Sequence, residues 1–76
     1  MIRIDARGMR CPWPAIRLAR ALRDGAAVVE IAADDPRAAG ELASAVAVVG
    51  ARLAVVGEGV FRVERQGGEA FAPRRD

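Results

Sequence analysis

One residue of this 76-residue chain, Cys11, is best suited to covalent chemistry, because it is the only cysteine and there is no histidine. It begins the segment Cys11-Pro12-Trp13-Pro14, which leads into a stretch with helical periodicity. Proline is tolerated only in the first turn of a helix, where backbone N–H groups lack intrahelical partners. The two prolines therefore place Cys11 at or just before the start of a helix. A residue before proline avoids helical geometry, so the regular helix can begin as late as Pro14.

The start of a helix favours a thiolate over a thiol, because the positive end of the helix dipole lies there. We therefore expect a thiolate at Cys11, supported by the positive charges of Arg7, Arg10 and Arg17. A thiolate can attack the outer sulfur of a donor persulfide and then carry that sulfur itself. Since the chain has no histidine to act as a base, the activation must be electrostatic. The alternative is a buried apolar cysteine, but such a residue requires no constrained helix start.

Other residues near the cysteine have structural or recognition roles in this interpretation. Pro12 and Pro14 are rigid supports. Gly8 is expected to let the loop turn beneath the thiol, unless it is an ordinary loop glycine. Asp5 either pairs with a neighbouring arginine or is a solvated charge at a strand end. Trp13 either packs against the domain or docks a partner.

The elements that position the cysteine follow the order β-α-β-α-β-β. Alternating apolar residues predict four strands, over residues 1–5, 27–33, 53–56 and 60–65. The first predicted helix runs from the prolines to Arg23, and Gly25 is expected in the left-handed position that ends it. The second predicted helix has Asp35 as its cap and Pro36 as its first residue, and it continues to about Val49.

This order predicts an α+β fold, a two-layer α/β sandwich in which two helices cover one face of a four-stranded mixed sheet. The first two strands should be parallel, because a helix connects them. The nearly continuous apolar second strand should be central, and Gly57-Glu58-Gly59 should join the last two strands in a hairpin. Residues 1–66 are expected to form one domain, and residues 67–76 a flexible C-terminal tail.

The composition argues against several classes of function. Twelve arginines and ten acidic residues leave a net charge of +2, and aromatic residues make up only 4%, so direct nucleic-acid binding is not expected. One cysteine without histidine argues against a metal site, and we expect no cofactor. No stretch approaches the roughly 20 apolar residues that span a membrane. Without a recognisable signal peptide, a cytoplasmic monomer is expected, in a compartment where a lone thiol stays reduced.

Two segments carry a specific resemblance to a known family. The segment Asp5-Ala6-Arg7-Gly8-Met9-Arg10-Cys11-Pro12-Trp13-Pro14 resembles the signature of the TusA/SirA-like sulfur carriers, which have Asp, Gly and Cys-Pro-x-Pro at these spacings. The segment Glu30-Ile31-Ala32-Ala33-Asp34-Asp35-Pro36 resembles the family's second strand and its Asp-Pro helix start. The predicted elements match the family from Met1 to about Arg65. The sequence departs from the family at Trp13, where an acidic residue is common.

The resemblance implies a βαβαββ fold and a sulfurtransferase relay in which Cys11 carries the persulfide. Family members receive sulfur from a cysteine desulfurase or a rhodanese-type protein. They pass it toward tRNA thiolation, molybdenum cofactor maturation or sulfur oxidation. The resemblance therefore implies two protein partners, a sulfur donor and a sulfur acceptor.

Two other functions remain open from the sequence. A non-catalytic regulatory module would bind RNA or a protein through the arginine face of the first helix, which includes Arg17, Arg20 and Arg23. A redox sensor would need a resolving thiol from a partner or a small molecule, since this chain has a single cysteine. The persulfide carrier acting through Cys11 is the leading hypothesis.

Overall fold

The computed structural model describes residues 1–65, and the predicted tail at 67–76 lies outside these described residues. The elements in chain order are β1 (Ile2–Asp5), α1 (Trp13–Arg23), β2 (Val28–Ala32), α2 (Ala38–Val48), β3 (Ala51–Gly57) and β4 (Val60–Arg65). This order confirms the predicted βαβαββ arrangement. Neither helix of the described part has the length and apolar character needed to cross a membrane.

The four strands form one mixed sheet in the order β1-β2-β4-β3, which places the apolar β2 in the interior as predicted. β1 and β2 are parallel, whereas β4 is antiparallel to both β2 and β3. The predicted hairpin is present with a shorter loop, because Gly57 already pairs with Val60. Only Glu58 and Gly59 lie between the strands, and Gly59 adopts the left-handed φ of +67°.

Both helices cover one face of the sheet, as predicted. Their apolar side chains join those of β2 and β4 in one core. The largest fully buried side chains are Leu18, Leu22, Ile31, Leu42, Val29, Val63 and Pro14. The opposite face of the sheet is charged, with Glu30 paired to Arg62 at 3.1 Å and to Arg3 at 3.7 Å. The sandwich therefore has two layers and one open sheet face.

The first helix ends as the sequence predicts. Gly25 has a φ of +104°, and its N–H donates a hydrogen bond of 3.1 Å to the carbonyl of Leu22. The N–H of Ala26 donates to the carbonyl of Ala21, also at 3.1 Å. These two bonds satisfy carbonyls that the last helical turn would otherwise leave without partners.

The second helix begins later than the sequence predicts. Ala38 is its first residue, and Arg37 rather than Asp35 occupies the cap position. Pro36 lies in a turn before the helix. Asp35 closes this turn by accepting a hydrogen bond of 2.8 Å from the N–H of Arg37. One oxygen of Asp35 is thus used within the turn, and the other is directed toward a different part of the chain.

Candidate functional site

Cys11 lies in the turn immediately before α1, which confirms its predicted place at a helix N-terminus. Pro12 occupies the cap position, and Pro14 lies in the first turn of the helix. Trp13 is already helical, and its N–H donates a hydrogen bond of 2.8 Å to the carbonyl of Arg10. The Cys11–Pro12 peptide bond is cis.

The side chain of Cys11 is half-buried and lies outside the cluster of buried core residues. Pro14 and Ala15, which follow in the helix, are buried and anchor its first turn against the domain. Pro12 and Trp13 lie on the exposed side, and 58% of Trp13 is accessible. The sulfur is therefore positioned at the border of the domain, where a free cysteine of the usual buried type would not lie.

Two neighbouring carboxylates from the β2–α2 loop hold the loop that carries the cysteine. An Asp34 oxygen accepts a hydrogen bond of 2.9 Å from the N–H of Gly8, and Asp35 Oδ2 accepts one of 3.2 Å from the N–H of Cys11. Gly8 has a φ of +84°, a conformation that residues with side chains rarely adopt, so the expected turn is present. The cysteine loop is thus attached to the beginning of α2.

This role of Asp34 and Asp35 is not evident from the local sequence, which indicates only a helix start. The feature that could have revealed this role is the parallel pairing of β1 and β2, which the order of elements predicts. Because parallel strands end at the same edge of a sheet, the loops that follow them come together there. The turn with Cys11 follows β1, and the two carboxylates follow β2.

The arginines close to Cys11 in sequence do not provide the expected positive field. Arg7 instead binds Asp5 through two hydrogen bonds of 2.9 Å, which confirms one of the two roles considered for Asp5. These hydrogen bonds lower the pKa of Asp5 to about 2. Arg10 and Arg17 are exposed. Within residues 1–65, the charges that change the pKa of the thiol come from α2 and the turn before it, and not from these arginines.

The pKa of the Cys11 thiol is raised, which contradicts the expected thiolate. Partial burial contributes most, and the Glu41 carboxylate follows. Asp35 also raises this pKa, and only the Arg37 guanidinium lowers it. The dipole at an exposed helix start contributes about 0.3–1 kcal/mol, so burial and adjacent carboxylates can outweigh it.

Two concave surfaces are lined in part by residues next to the cysteine in sequence. A groove between α1 and α2 is lined by Pro12, Ile16 and Glu41 among others, and 47% of Ile16 is exposed. A separate depression includes Arg10 and Trp13. Within residues 1–65, no group of three or more histidine, cysteine, aspartate or glutamate side chains is placed so that it could hold a metal ion. Both surfaces combine apolar and charged groups, as protein-binding surfaces do.

Known proteins are similar to this chain in fold and in sequence. A family model described as Sulfurtransferase TusA matches residues 2–65. The crystal structure of a SirA-like protein from Desulfitobacterium hafniense is similar, with 34% sequence identity and a TM-score of 0.67. The similarity covers 83% of this chain and 92% of that protein. No curated protein gives a significant match. Since the family model spans nearly all of the described residues, including Cys11, the chain belongs to the TusA sulfurtransferase family.

Proposed function

We propose that this protein is a sulfur carrier that relays sulfane sulfur as a persulfide on Cys11. Membership of the TusA family supports a sulfur-carrier or sulfurtransferase role in general terms. The observation that carries the specific proposal is the position of Cys11. It is half-buried at the start of α1, outside the core, on a loop that Asp34 and Asp35 hold in place.

The proposed transfer is an exchange between sulfur atoms. The Cys11 thiolate attacks the outer sulfur of a persulfide on the donor's cysteine. The bond between the donor's two sulfur atoms breaks while a new S–S bond forms at Cys11, and the donor's cysteine leaves as a thiolate. The sulfane sulfur changes carrier, so no external oxidant or reductant is needed. In the second transfer the acceptor attacks, and Cys11 is the leaving thiolate.

A relay protein must contact a donor and an acceptor in turn. Trp13 and Ile16 are exposed in the first turn of α1, which follows the cysteine, and they offer apolar contact area. Their exposure favours a role in docking, because large apolar side chains at a surface often mark protein contacts. The proposed partners are a cysteine desulfurase or rhodanese-like donor and an acceptor protein. The proposed setting is the cytoplasm, with the carrier acting as a monomer.

A second candidate function is a non-catalytic module that binds RNA or a protein. It is favoured by the arginine face of α1, where Arg17, Arg20 and Arg23 are exposed and form no ion pair within residues 1–65. This candidate predicts that the double variant Arg17→Ala/Arg20→Ala loses activity in cells while Cys11→Ser retains it. The sulfur relay predicts that Cys11→Ser loses activity.

The relay is tested by incubating the protein with a cysteine desulfurase and cysteine and then measuring the intact mass. The expected result is a gain of one sulfur atom in the wild type and no gain in Cys11→Ser. A known sulfur carrier loaded in parallel shows that the donor is active. A wild-type protein that stays unmodified while that carrier is loaded would contradict the proposal.

A further inference from the structure

A depression formed by the cysteine loop and the start of α1 combines positive charge with an exposed aromatic ring. Within the described part of the chain its lining residues include no acidic side chain; they are Gly8, Met9, Arg10, Trp13 and Arg17. We propose that this depression docks an acidic segment of the sulfur donor, with carboxylates paired to the two arginines and an apolar side chain packed against the tryptophan. The inference rests on the proposed role of Cys11 as the sulfur carrier, and it names the chemistry by which the carrier recognises its donor.

The depression is built in part from the turn that carries the sulfur. The N–H of Trp13 donates a hydrogen bond of 2.8 Å to the carbonyl of Arg10, so these two lining residues are the ends of the turn that contains Cys11. The N–H of Gly8, a third lining residue, donates a hydrogen bond of 2.9 Å to Asp34, which holds the loop in place. A segment seated in the depression therefore contacts the residues on both sides of the cysteine in a turn that is already formed.

The two guanidinium groups of the depression are available to a partner. Arg10 and Arg17 are exposed, and neither forms an ion pair within residues 1–65. The carboxylates that hold the cysteine loop, Asp34 and Asp35, line a separate concavity. The side chains that line the depression therefore carry positive charge only, which is complementary to a partner that presents carboxylates.

The position of the aromatic ring indicates what else the partner presents. Trp13 and Arg17 are four residues apart in α1 and so lie on one face of the helix, and 58% of Trp13 is exposed. A guanidinium pairs with a carboxylate through parallel hydrogen bonds, and the ring offers apolar contact area beside it. RNA fits less well, because the depression has one aromatic ring, whereas proteins that bind single strands stack successive bases on several.

The donor has a more demanding approach to the cysteine than the acceptor. Unloaded Cys11 is half-buried, so the donor must bring its persulfide to a sulfur atom that is only partly accessible. Loading extends the side chain by one S–S bond of about 2 Å, so the acceptor attacks an atom farther from the backbone. Contacts that fix the approach beside the cysteine are therefore needed most in the first transfer, and we assign the depression to the donor.

Binding can be measured without sulfur transfer, because Trp13 is the only tryptophan of the chain and its fluorescence reports on the depression. The probe is a tryptophan-free peptide of alternating glutamate and leucine, and its control has lysine in place of glutamate. The acidic peptide should shift the emission to shorter wavelength, because the ring leaves water, and the lysine peptide should not. Arg10→Gln/Arg17→Gln should bind the acidic peptide roughly tenfold more weakly, since two ion pairs are lost.

The matched control variant is Arg52→Gln. Arg52 is exposed on β3, at the opposite edge of the sheet from β1, and its replacement should leave peptide binding unchanged. The second readout is kcat/KM for sulfur transfer from a persulfide-loaded cysteine desulfurase. The double variant should lower it by a similar factor at low salt, and the difference should shrink at about 1 M salt, where screening acts within about 3 Å. Iodoacetamide, which is uncharged, should alkylate Cys11 equally fast in all variants.

Several results would overturn the proposal. These are equal binding of the acidic and lysine peptides, no emission change with either, or the same weakening in Arg52→Gln as in the double variant. Tighter binding of a single-stranded RNA oligonucleotide than of the acidic peptide would assign the depression to RNA. Unchanged transfer from the desulfurase to the double variant would remove the donor from the depression. If the acidic peptide binds as expected but an active desulfurase loads no sulfur onto the wild type, the relay fails while the acidic docking surface stands.

Discussion

Asp35 Oδ2 accepts a hydrogen bond of 3.2 Å from the backbone N–H of Cys11, a residue 24 positions earlier in the chain. The other oxygen of the same carboxylate accepts from the N–H of Arg37 at 2.8 Å. One side chain thus connects the loop before α1 to the turn before α2. The position of the sulfur depends on this connection as well as on the adjacent prolines.

Replacing Asp35 with alanine should release the cysteine loop from α2. We expect a melting temperature several degrees lower, because two backbone N–H groups lose a charged acceptor, and a higher alkylation rate of Cys11, because a nearby negative charge is removed. Differential scanning calorimetry and iodoacetamide kinetics measure the two effects. Asp24→Ala is the control, since Asp24 is exposed and lies at the other end of α1. Equal effects of the two substitutions would contradict the role of Asp35.

The same carboxylate should make stability depend on acidity. Hydrogen bonds from the N–H groups of Arg37 and Cys11 lower the pKa of Asp35 below its ordinary value of 3.8. A carboxyl group whose pKa is lower in the folded protein than in the unfolded chain contributes fully to stability at pH values above its unfolded-state pKa. This contribution is lost as the pH falls through the folded-state pKa. Below pH 3.8 the wild type should therefore lose more stability than Asp35→Ala. Parallel acid titrations of both proteins, followed by circular dichroism, measure this; parallel curves would count against it.

Asp5 should contribute to the same acid transition through a different pair. Its hydrogen bonds with Arg7 lower its pKa from 3.8 to about 2. Its contribution to folding stability is therefore complete above pH 3.8 and is lost as the pH falls toward 2. Because this pair is exposed, water and salt weaken it. We expect that Arg7→Ala reduces the acid sensitivity of the protein only slightly and leaves the alkylation rate of Cys11 unchanged. A marked change in that rate would instead mean that Arg7 acts on the thiol.

Two glycine substitutions should have opposite effects on stability. Gly59 has a φ of +67°, and a Cβ there would lie 2.9 Å from the carbonyl oxygen of Ala33, the residue before the two carboxylates of the site. Gly59→Ala should therefore destabilise the protein by about 1–3 kcal/mol. Gly40 lies inside α2, and apart from its chain neighbours and the backbone of its own helix nothing would lie within 4 Å of an added Cβ. Gly40→Ala should therefore stabilise the protein by about 1 kcal/mol. Urea denaturation measures the change in the free energy of unfolding for each variant. If both substitutions stabilise or both destabilise the protein, the surroundings described for one of the two glycines are wrong.

Trp13 should affect docking more than chemistry. More than half of its surface is exposed, so Trp13→Ala should leave loading by inorganic polysulfide nearly unchanged. Transfer from a persulfide-loaded donor protein should become slower, because apolar contact area beside Cys11 is lost. Val56→Ala is the control, since Val56 is 47% exposed on β3. If Trp13→Ala and Val56→Ala transfer sulfur equally fast, Trp13 is not a docking residue.

The arrangement of elements and the place of Cys11 follow from local signals. The prolines at 12 and 14 can only lie at a helix start, and they mark it correctly. The second helix is predicted two residues too early, since Asp35 and Pro36 have the residue types of a helix start. Asp35 instead closes a turn and binds the cysteine loop, and the helix begins after that turn.

The protonation state of the cysteine does not follow from neighbours in sequence. Arg7, Arg10 and Arg17 are near Cys11 along the chain, but the charges that act on the thiol come from residues 35–41. The charge of Glu41 acts on the cysteine because α1 and α2 pack side by side and follow neighbouring parallel strands. That proximity is a property of the parallel β1–β2 pair, and no local motif encodes it.

Sulfur transfer through Cys11 is tested most sharply by locating the sulfane sulfur in the loaded protein. After loading by a desulfurase and cysteine, peptide mass spectrometry should find the added sulfur atom on the peptide that contains Cys11. Excess dithiothreitol should then release that atom as sulfide and restore the free cysteine, and the two thiols of the reagent are oxidised to a disulfide. Loading of Cys11→Ser to the level of the wild type, or no loading of the wild type by an active donor, would show that Cys11 does not carry the sulfur.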